Sequence, residues 1–191
     1  MIRVAGGFHD RAAVGVLFAH DPHRHFVTPS MSQIADLLPA SSILVDLDAG
    51  TKSRLFDAVG SLFETQRGLV RSSVVDSLMA REKLGSTGLG QGIAIPHGRI
   101  KGIKEALGAF VRLSQPVPFD APDGAPVSIA FVLLVPEQAT DKHLQILSEL
   151  AQMFSDRGLR ESLASAPDAA RLVEIISNWQ PDAPGQRRAA A

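Results

Sequence analysis

Two histidines, an arginine and a run of glycines are the residues of this sequence best suited to chemistry. His97 lies in Ile93-Ala94-Ile95-Pro96-His97-Gly98. Ile93 to Ile95 reads as a strand that ends at Pro96, because proline cannot donate to a ladder. His97 is therefore expected to project from a restrained strand end, as a functional imidazole or as a surface histidine in a turn. Just upstream, Gly85-Ser86-Thr87-Gly88-Leu89-Gly90-Gln91-Gly92 holds four glycines in eight residues. Glycines let backbone N–H groups converge on an anion because no side chain blocks the approach. Gly85, Ser86, Thr87 and Gly88 are the candidates for holding a phosphoryl group. The run is not a P-loop, since no Gly-Lys-Ser/Thr follows. Nor is it a dinucleotide fingerprint, since it follows a helix and feeds a strand, the reverse of that order. A plain connection between helix and strand remains open for it.

His143 is the second imidazole. With Thr140 as N-cap, Asp141, Lys142 and His143 form the first turn of a helix. The positive end of the helix dipole there attracts anions and favours a neutral imidazole. A solvent-facing residue near the cap is the alternative, and spacing alone does not bring His143 to His97. Arg81 and Lys83 close an earlier helix, where cations complement the dipole. Arg81 is also placed to reach the glycine run with its planar fork, and Arg99 is a further candidate. A histidine nucleophile can accept a phosphoryl group in line when neighbouring groups spread the charge on its oxygens. Such a transfer needs no bound nucleotide if the donor is a phosphoprotein. No metal and no cofactor are expected: there is no carboxylate cluster for Mg²⁺ and no cysteine for Zn²⁺.

The elements that must position these residues alternate. Ile43-Leu44-Val45 is a short strand. Thr51 caps a helix with Leu55, Val59, Leu62 and Phe63 on one face, stopped by Gly68. Ser73 and Asp76 resemble a capping box opening a second helix through Val74, Leu78 and Met79 to Arg81. Ala106 to Leu113 and Val127 to Val135 are the strongest strands, joined through the turn Pro122-Asp123-Gly124. The second is almost continuously apolar, which predicts a central strand buried on both faces. Thr140 then caps a long helix carrying Leu144, Leu147, Ala151 and Phe154. Shorter helices follow around Leu159 and Leu163, and from Asp168 through Leu172, Ile175, Ile176 and Trp179. The expected fold is α/β, a single domain with a mixed β-sheet flanked by α-helices.

The chain of 191 residues is long enough for one domain and a tail. Its 19 basic and 20 acidic side chains leave a net charge of −1, which excludes a basic nucleic-acid coat. Without cysteine there are no disulfides, thiolate zinc sites or cysteine nucleophiles. That suits a reducing cytoplasm, the expected location. No apolar run nears the ~18 residues of a membrane-spanning helix, so no membrane insertion is expected. Residues 1–30 hold four of the six histidines and little periodicity, and read as a disordered leader before a fresh start at Met31. His20, His23 and His25 offer imidazoles to a stray transition-metal ion, but no carboxylate set completes a site. Residues 31–180 are expected to form the functional domain and 181–191 a flexible, Pro- and Ala-rich tail.

The stretch Arg81-Glu82-Lys83-Leu84-Gly85-Ser86-Thr87-Gly88-Leu89-Gly90-Gln91-Gly92-Ile93-Ala94-Ile95-Pro96-His97-Gly98-Arg99 closely resembles the active-site stretch of the mannitol/fructose-class (type-2) enzyme IIA proteins of the bacterial phosphotransferase system. More narrowly, it resembles their nitrogen-regulatory branch. The likeness runs from about Met31 to Trp179 and includes Phe119-Asp120-Ala121 and Leu133-Leu134-Val135-Pro136-Glu137. It implies a phosphotransferase in which His97 accepts a phosphoryl group from a histidine-phosphorylated HPr-like carrier. It implies too that His143 sits beside His97 and helps hold the group, with Arg81 as a further active-site residue. The regulatory branch implies partners controlled by phosphorylation state, such as sensor kinases and potassium transport components, in nitrogen, carbon and potassium control. Three alternatives are carried beside this one. They are a sugar-specific (fructose or mannitol) enzyme IIA passing phosphoryl to a permease, a non-catalytic protein-binding module, and a hydrolase with Ser86 as nucleophile and His97 as base. The last lacks a Gly-x-Ser-x-Gly elbow.

Overall fold

A computed structural model describes residues 33–138 and 141–180 of the chain. The expected leader 1–30 with His20, His23 and His25, the cap Thr140 and the tail 181–191 lie outside them. The elements run α1 (Gln33–Leu37), a 3₁₀ turn (Ala40–Ser42), β1 (Ile43–Leu47), α2 (Lys52–Arg67), α3 (Arg71–Lys83), β2 (Gly88–Gly90), β3 (Ile93–Ala94), β4 (His97–Ile100), β5 (Leu107–Val117), β6 (Val127–Pro136), α4 (Asp141–Ser155), α5 (Arg157–Ser165) and α6 (Ala169–Asn178).

The strands form one mixed sheet in the order β1-β5-β6-β3-β2, with β4 also on β6. β6 is the hub. It runs antiparallel to β5 and parallel to β3 and β4. Its interior residues Ile129 to Val135 are buried, as the unbroken apolar run predicts. One face of the sheet carries Ile43, Phe110, Phe131 and Leu133 against Ile34 of α1, Ile146 and Leu150 of α4, Leu163 of α5 and Leu172 and Ile176 of α6. The other carries Ala109, Val111, Val132 and Leu134 against Leu55, Phe56, Val59 and Phe63 of α2 and Val74 and Leu78 of α3. The α/β single-domain reading with a mixed sheet between helices holds.

Local chemistry set several boundaries as expected. Thr51 Oγ1 accepts from the Arg54 N–H, and Gly68, at φ 66°, ends α2 in the left-handed region. Asp168 caps α6 by accepting from the Arg171 N–H at 2.8 Å. Three expectations need correction. α3 begins at Arg71, not at a Ser73 capping box, and has no side-chain cap. Its start is fixed by tertiary contact: Arg71 bonds Asp57 of α2, and Gly60 leaves room, since a Cβ there would meet Arg71 Cγ and Val75 Cγ2 at 3.1 Å. The glycine run is not a plain loop; Gly88–Gly90 pairs with Ile93–Ala94 as an antiparallel hairpin. In α4, Leu144 is 67% exposed and Ala151 also faces solvent, while His143, Ile146, Leu150, Met153 and Phe154 are buried. The buried stripe includes a histidine, so counting only apolar residues rotates the face.

Candidate functional site

His97 does not dangle from a strand end. It opens β4, opposite Leu133 of β6, with the same spacing that pairs Ile93 with Ile129 and Ala94 with Ala130. β3 and β4 are thus one rail along β6, interrupted at Ile95-Pro96. The interruption frees the Ile95 carbonyl from the ladder and turns it toward the imidazole.

Both ring nitrogens of His97 are engaged. Nδ1 lies 2.9 Å from the Ile95 carbonyl, which can only accept, so Nδ1 carries the proton. The other nitrogen, Nε2, accepts from Arg81 Nε at 3.0 Å, which requires its lone pair. Two independent partners therefore select one neutral tautomer. Burial is the largest influence on the ring and pulls its pKa down; the Arg81 charge adds to this, while the Ile95 bond and Glu82 oppose it. The net displacement is downward, so the imidazole is neutral at neutral pH.

Arg81 comes from the last turn of α3, and its Nη1 donates to the Gly85 carbonyl at 2.9 Å. The guanidinium is thereby stretched between the glycine turn and His97. α3 can lie this close to β4 because residue 98 is glycine: a Cβ there would sit 2.4 Å from Ser77 Oγ. Ser77 in turn donates to the Arg99 carbonyl at 2.8 Å.

His143, in the first turn of α4, is buried and forms the opposite wall. A cleft of about 580 Å³ at the sheet edge is bounded by Arg81 and Leu84 of α3, His97 and Arg99 of β4, and His143 and Leu144 of α4. The structure so brings together His97, His143, Arg81 and Arg99. Asp141 adds a carboxylate to the same wall. Leu84 and Leu144 are 84% and 67% exposed at its mouth.

The glycine-run candidates stand behind this cleft. The Gly85 N–H donates to the Glu82 carbonyl, the Thr87 N–H to the Glu82 carboxylate, and the Gly88 N–H to Ser86 Oγ. The Ser86 hydroxyl donates to the Phe119 carbonyl. With Ser86 so engaged, and His97 held by Arg81 and Ile95, the pair needed for a serine nucleophile is not formed. Among the described residues, no group of three or more His, Cys, Asp or Glu side chains is arranged to hold a metal ion. No described helix is long and apolar enough to cross a membrane.

Sequence reasoning missed Glu82, Lys52 and the Ile95 carbonyl. Glu82 stood inside the stretch singled out around His97, but nothing local signalled that Lys52, 30 residues earlier, would reach its carboxylate.

Comparison with known proteins gives a consistent set of likenesses. The family model described as phosphoenolpyruvate-dependent sugar phosphotransferase system, EIIA 2, matches residues 36–179. A nitrogen regulatory protein of Pseudomonas aeruginosa is 41% identical over 151 residues, spanning 78% of this chain and 98% of that protein. The crystal structure of nitrogen regulatory protein IIA-Ntr from Neisseria meningitidis superposes with a TM-score of 0.71 at 53% identity, covering 75% of this chain and 98% of that one. The IIA mannitol structure from Escherichia coli shares the fold, with a TM-score of 0.62 at 22% identity over 72% of this chain and 97% of that one.

Proposed function

Because the chain belongs to the EIIA 2 family of the phosphoenolpyruvate-dependent phosphotransferase system, we propose that it is a regulatory phosphocarrier that accepts a phosphoryl group on His97 Nε2. The observation that carries the assignment is the double engagement of the imidazole. Nδ1–H is fixed on the Ile95 carbonyl, so the lone pair stands on Nε2 beside Arg81.

The donor is a histidine-phosphorylated, HPr-like protein. Its P–N bond breaks as the Nε2–P bond forms, and the leaving imidazole keeps the electron pair. Nδ1–H stays on Ile95 throughout, and the carbonyl dipole it faces stabilises the positive charge that builds on the ring as Nε2 bonds to phosphorus. In the free protein Arg81 Nε–H covers the Nε2 lone pair, so it must swing aside for in-line attack. The same donor then meets the equatorial phosphoryl oxygens, where charge-assisted bonds are strongest. His143 donates to a further oxygen from the opposite wall, and the first turn of α4 favours the added negative charge. The glycine run acts at one remove, as the turn whose Gly85 carbonyl holds Arg81. Leu84 and Leu144 supply apolar contact for the donor around the mouth.

Regulation follows from the same site. A phosphoryl group places up to about two negative charges on a surface edged by exposed leucines, which changes the partners that fit. Sensor kinases and potassium transport components are the proposed partner classes, in the cytoplasm, with residues 31–180 as the phosphocarrier domain. The names of the Pseudomonas and Neisseria relatives support the regulatory branch. The word sugar in the family description favours the second reading, transfer onward to a permease, which restored sugar uptake would establish.

The test is incubation with phosphoenolpyruvate, enzyme I and the HPr-related carrier, without ATP, followed by intact mass. One acid-labile phosphoryl group is expected, lost in His97→Ala and acquired more slowly in His143→Ala. Labelling of His97→Ala at the wild-type level overturns the assignment.

A further inference from the structure

Behind the cleft lies a buried charged group that the transfer step itself does not use. The Glu82 side chain is only 7% exposed, yet both of its oxygens are bonded. Oε1 accepts from Lys52 Nζ at 2.9 Å. Oε2 accepts twice from Thr87, from the N–H at 3.0 Å and from Oγ1 at 2.6 Å. Lys52 also donates to the Phe119 carbonyl at 3.0 Å and to Asp120 at 2.8 Å, and lies 5.0 Å from the centre of the Phe119 ring. A buried carboxylate is tolerated only when its lone pairs are filled in this way.

Two hydrogen-bonded paths lead from Glu82 to the two nitrogens of His97. On one, the Thr87 carbonyl accepts the Ile95 N–H at 3.0 Å, and the Ile95 carbonyl in turn receives His97 Nδ1–H. The other starts from the Glu82 main chain: its carbonyl accepts the Gly85 N–H at 3.2 Å, and the Gly85 carbonyl holds Arg81, which donates to His97 Nε2, so the carboxylate acts on this path only by bracing the 82–87 turn through Thr87. Gly85 stands at φ 149°, a conformation that favours glycine, so the turn takes this shape without strain at that residue.

We propose that Glu82, paired with Lys52, is a positioning residue for phosphoryl transfer: by holding Thr87 and the 82–87 turn it fixes both the tautomer of His97 and the reach of Arg81. It touches neither donor nor phosphoryl group. Its action resembles that of the acid that orients the histidine in a serine-protease triad, but it works through the backbone carbonyls of Thr87, Ile95 and Gly85. The inference rests on His97 being the acceptor.

The experiment compares Glu82→Gln with wild type in the full chain, by transfer kinetics from the phosphorylated HPr-like carrier and by ¹⁵N NMR of the His97 ring. Glutamine keeps the size but cannot accept from Lys52 and Thr87 with two oxygens. The expected result is a fall in kcat of about tenfold with donor KM within about twofold, because the docking surface is untouched. In the free protein, the His97 ring shifts from the pure Nδ1–H form toward a mixture of tautomers. Thr87→Val, which deletes only the Oγ1 donor, moves both readouts the same way by less, and serves if Glu82→Gln does not fold. Asp120→Asn, which alters the exposed end of the Lys52 cluster, leaves both near wild type.

A folded Glu82→Gln protein with wild-type kcat and an unchanged ring spectrum overturns the proposal, and so does a lowered melting temperature alone. If wild type takes no phosphoryl group, the phosphocarrier reading fails, and the ring spectrum of the unphosphorylated proteins still decides the positioning role.

Discussion

The closeness of α3 to β4 can be tested by filling it. In Gly98→Ala the new Cβ would lie 2.4 Å from Ser77 Oγ and 3.2 Å from the Ser77 Cβ and carbonyl carbon. Comfortable carbon contacts are about 3.5–4.0 Å. Rotating Ser77 Oγ away relieves the worst contact but gives up its bond to the Arg99 carbonyl, at a cost of about 1 kcal/mol. The two remaining contacts are relieved only by moving helix from strand. Overpacking of this size costs about 1–3 kcal/mol, equivalent to a fall in Tm of roughly 2–10 °C for a domain of this length. Ser77 lies one helical turn before Arg81, and Gly98 follows His97, so the movement opens the 3.0 Å Arg81–His97 bond. Phosphoryl transfer should slow by about tenfold or more. The assay is thermal unfolding and single-turnover phosphorylation of Gly98→Ala, Ser77→Ala and the double variant. Removing Oγ removes the shortest contact, so the double variant should be less destabilised than the sum of the singles by about 1 kcal/mol. Additive singles, or a Gly98→Ala protein with unchanged Tm and rate, would refute the reasoning.

Other outcomes follow from the same geometry. The folded pKa of His97 is displaced downward, chiefly by burial, so the transfer rate should rise with pH through a midpoint below the ordinary histidine value of about 6.5 and be flat by neutrality. For stability the sign is the same: the unfolded ring takes up its proton first, so stability from this group is complete above about pH 6.5 and falls as pH drops toward the folded pKa. An NMR titration midpoint above the ordinary value would contradict both. Asp168→Ala removes the cap on the Arg171 N–H and should cost about 1 kcal/mol in urea unfolding, with phosphorylation of the folded protein unchanged. Leu144→Ser, at the mouth, should raise the donor KM and leave kcat close to wild type; a fall in kcat alone would remove Leu144 from the docking surface.

What the sequence reveals here divides along a physical line. Thr51, Gly68 and Asp168 act on backbone groups within a few residues, so the ends of α2 and the start of α6 are written locally. The apolar run of β6 declares its central place because burial on both faces leaves no room for polar alternation. His97 and its glycine neighbourhood stand out for the same local reason. The pairing of His97 with Arg81 does not, because 16 residues and a hairpin separate them and only the packing of α3 on β4 brings them together. Leu144 reads as core and is instead at the mouth of the cleft, since a buried histidine takes its place in the stripe. α3 starts at Arg71 rather than Ser73 because the contact with Asp57 and Gly60 outweighs a weak capping signal.

The broken rail β3–β4 also has a consequence for synthesis. Both pieces lie on β6, yet they precede it in the chain by 36 residues, the offset between His97 and Leu133. On the ribosome His97 emerges before the strand that seats it. β5 and β6 are consecutive and antiparallel, so they can zip together by a short connection, and the earlier rail must wait to be captured. The backbone pairing of His97 with Leu133 therefore cannot form until translation has passed β6. The strand that opens at His97 is thus completed from its far side, by residues made after it.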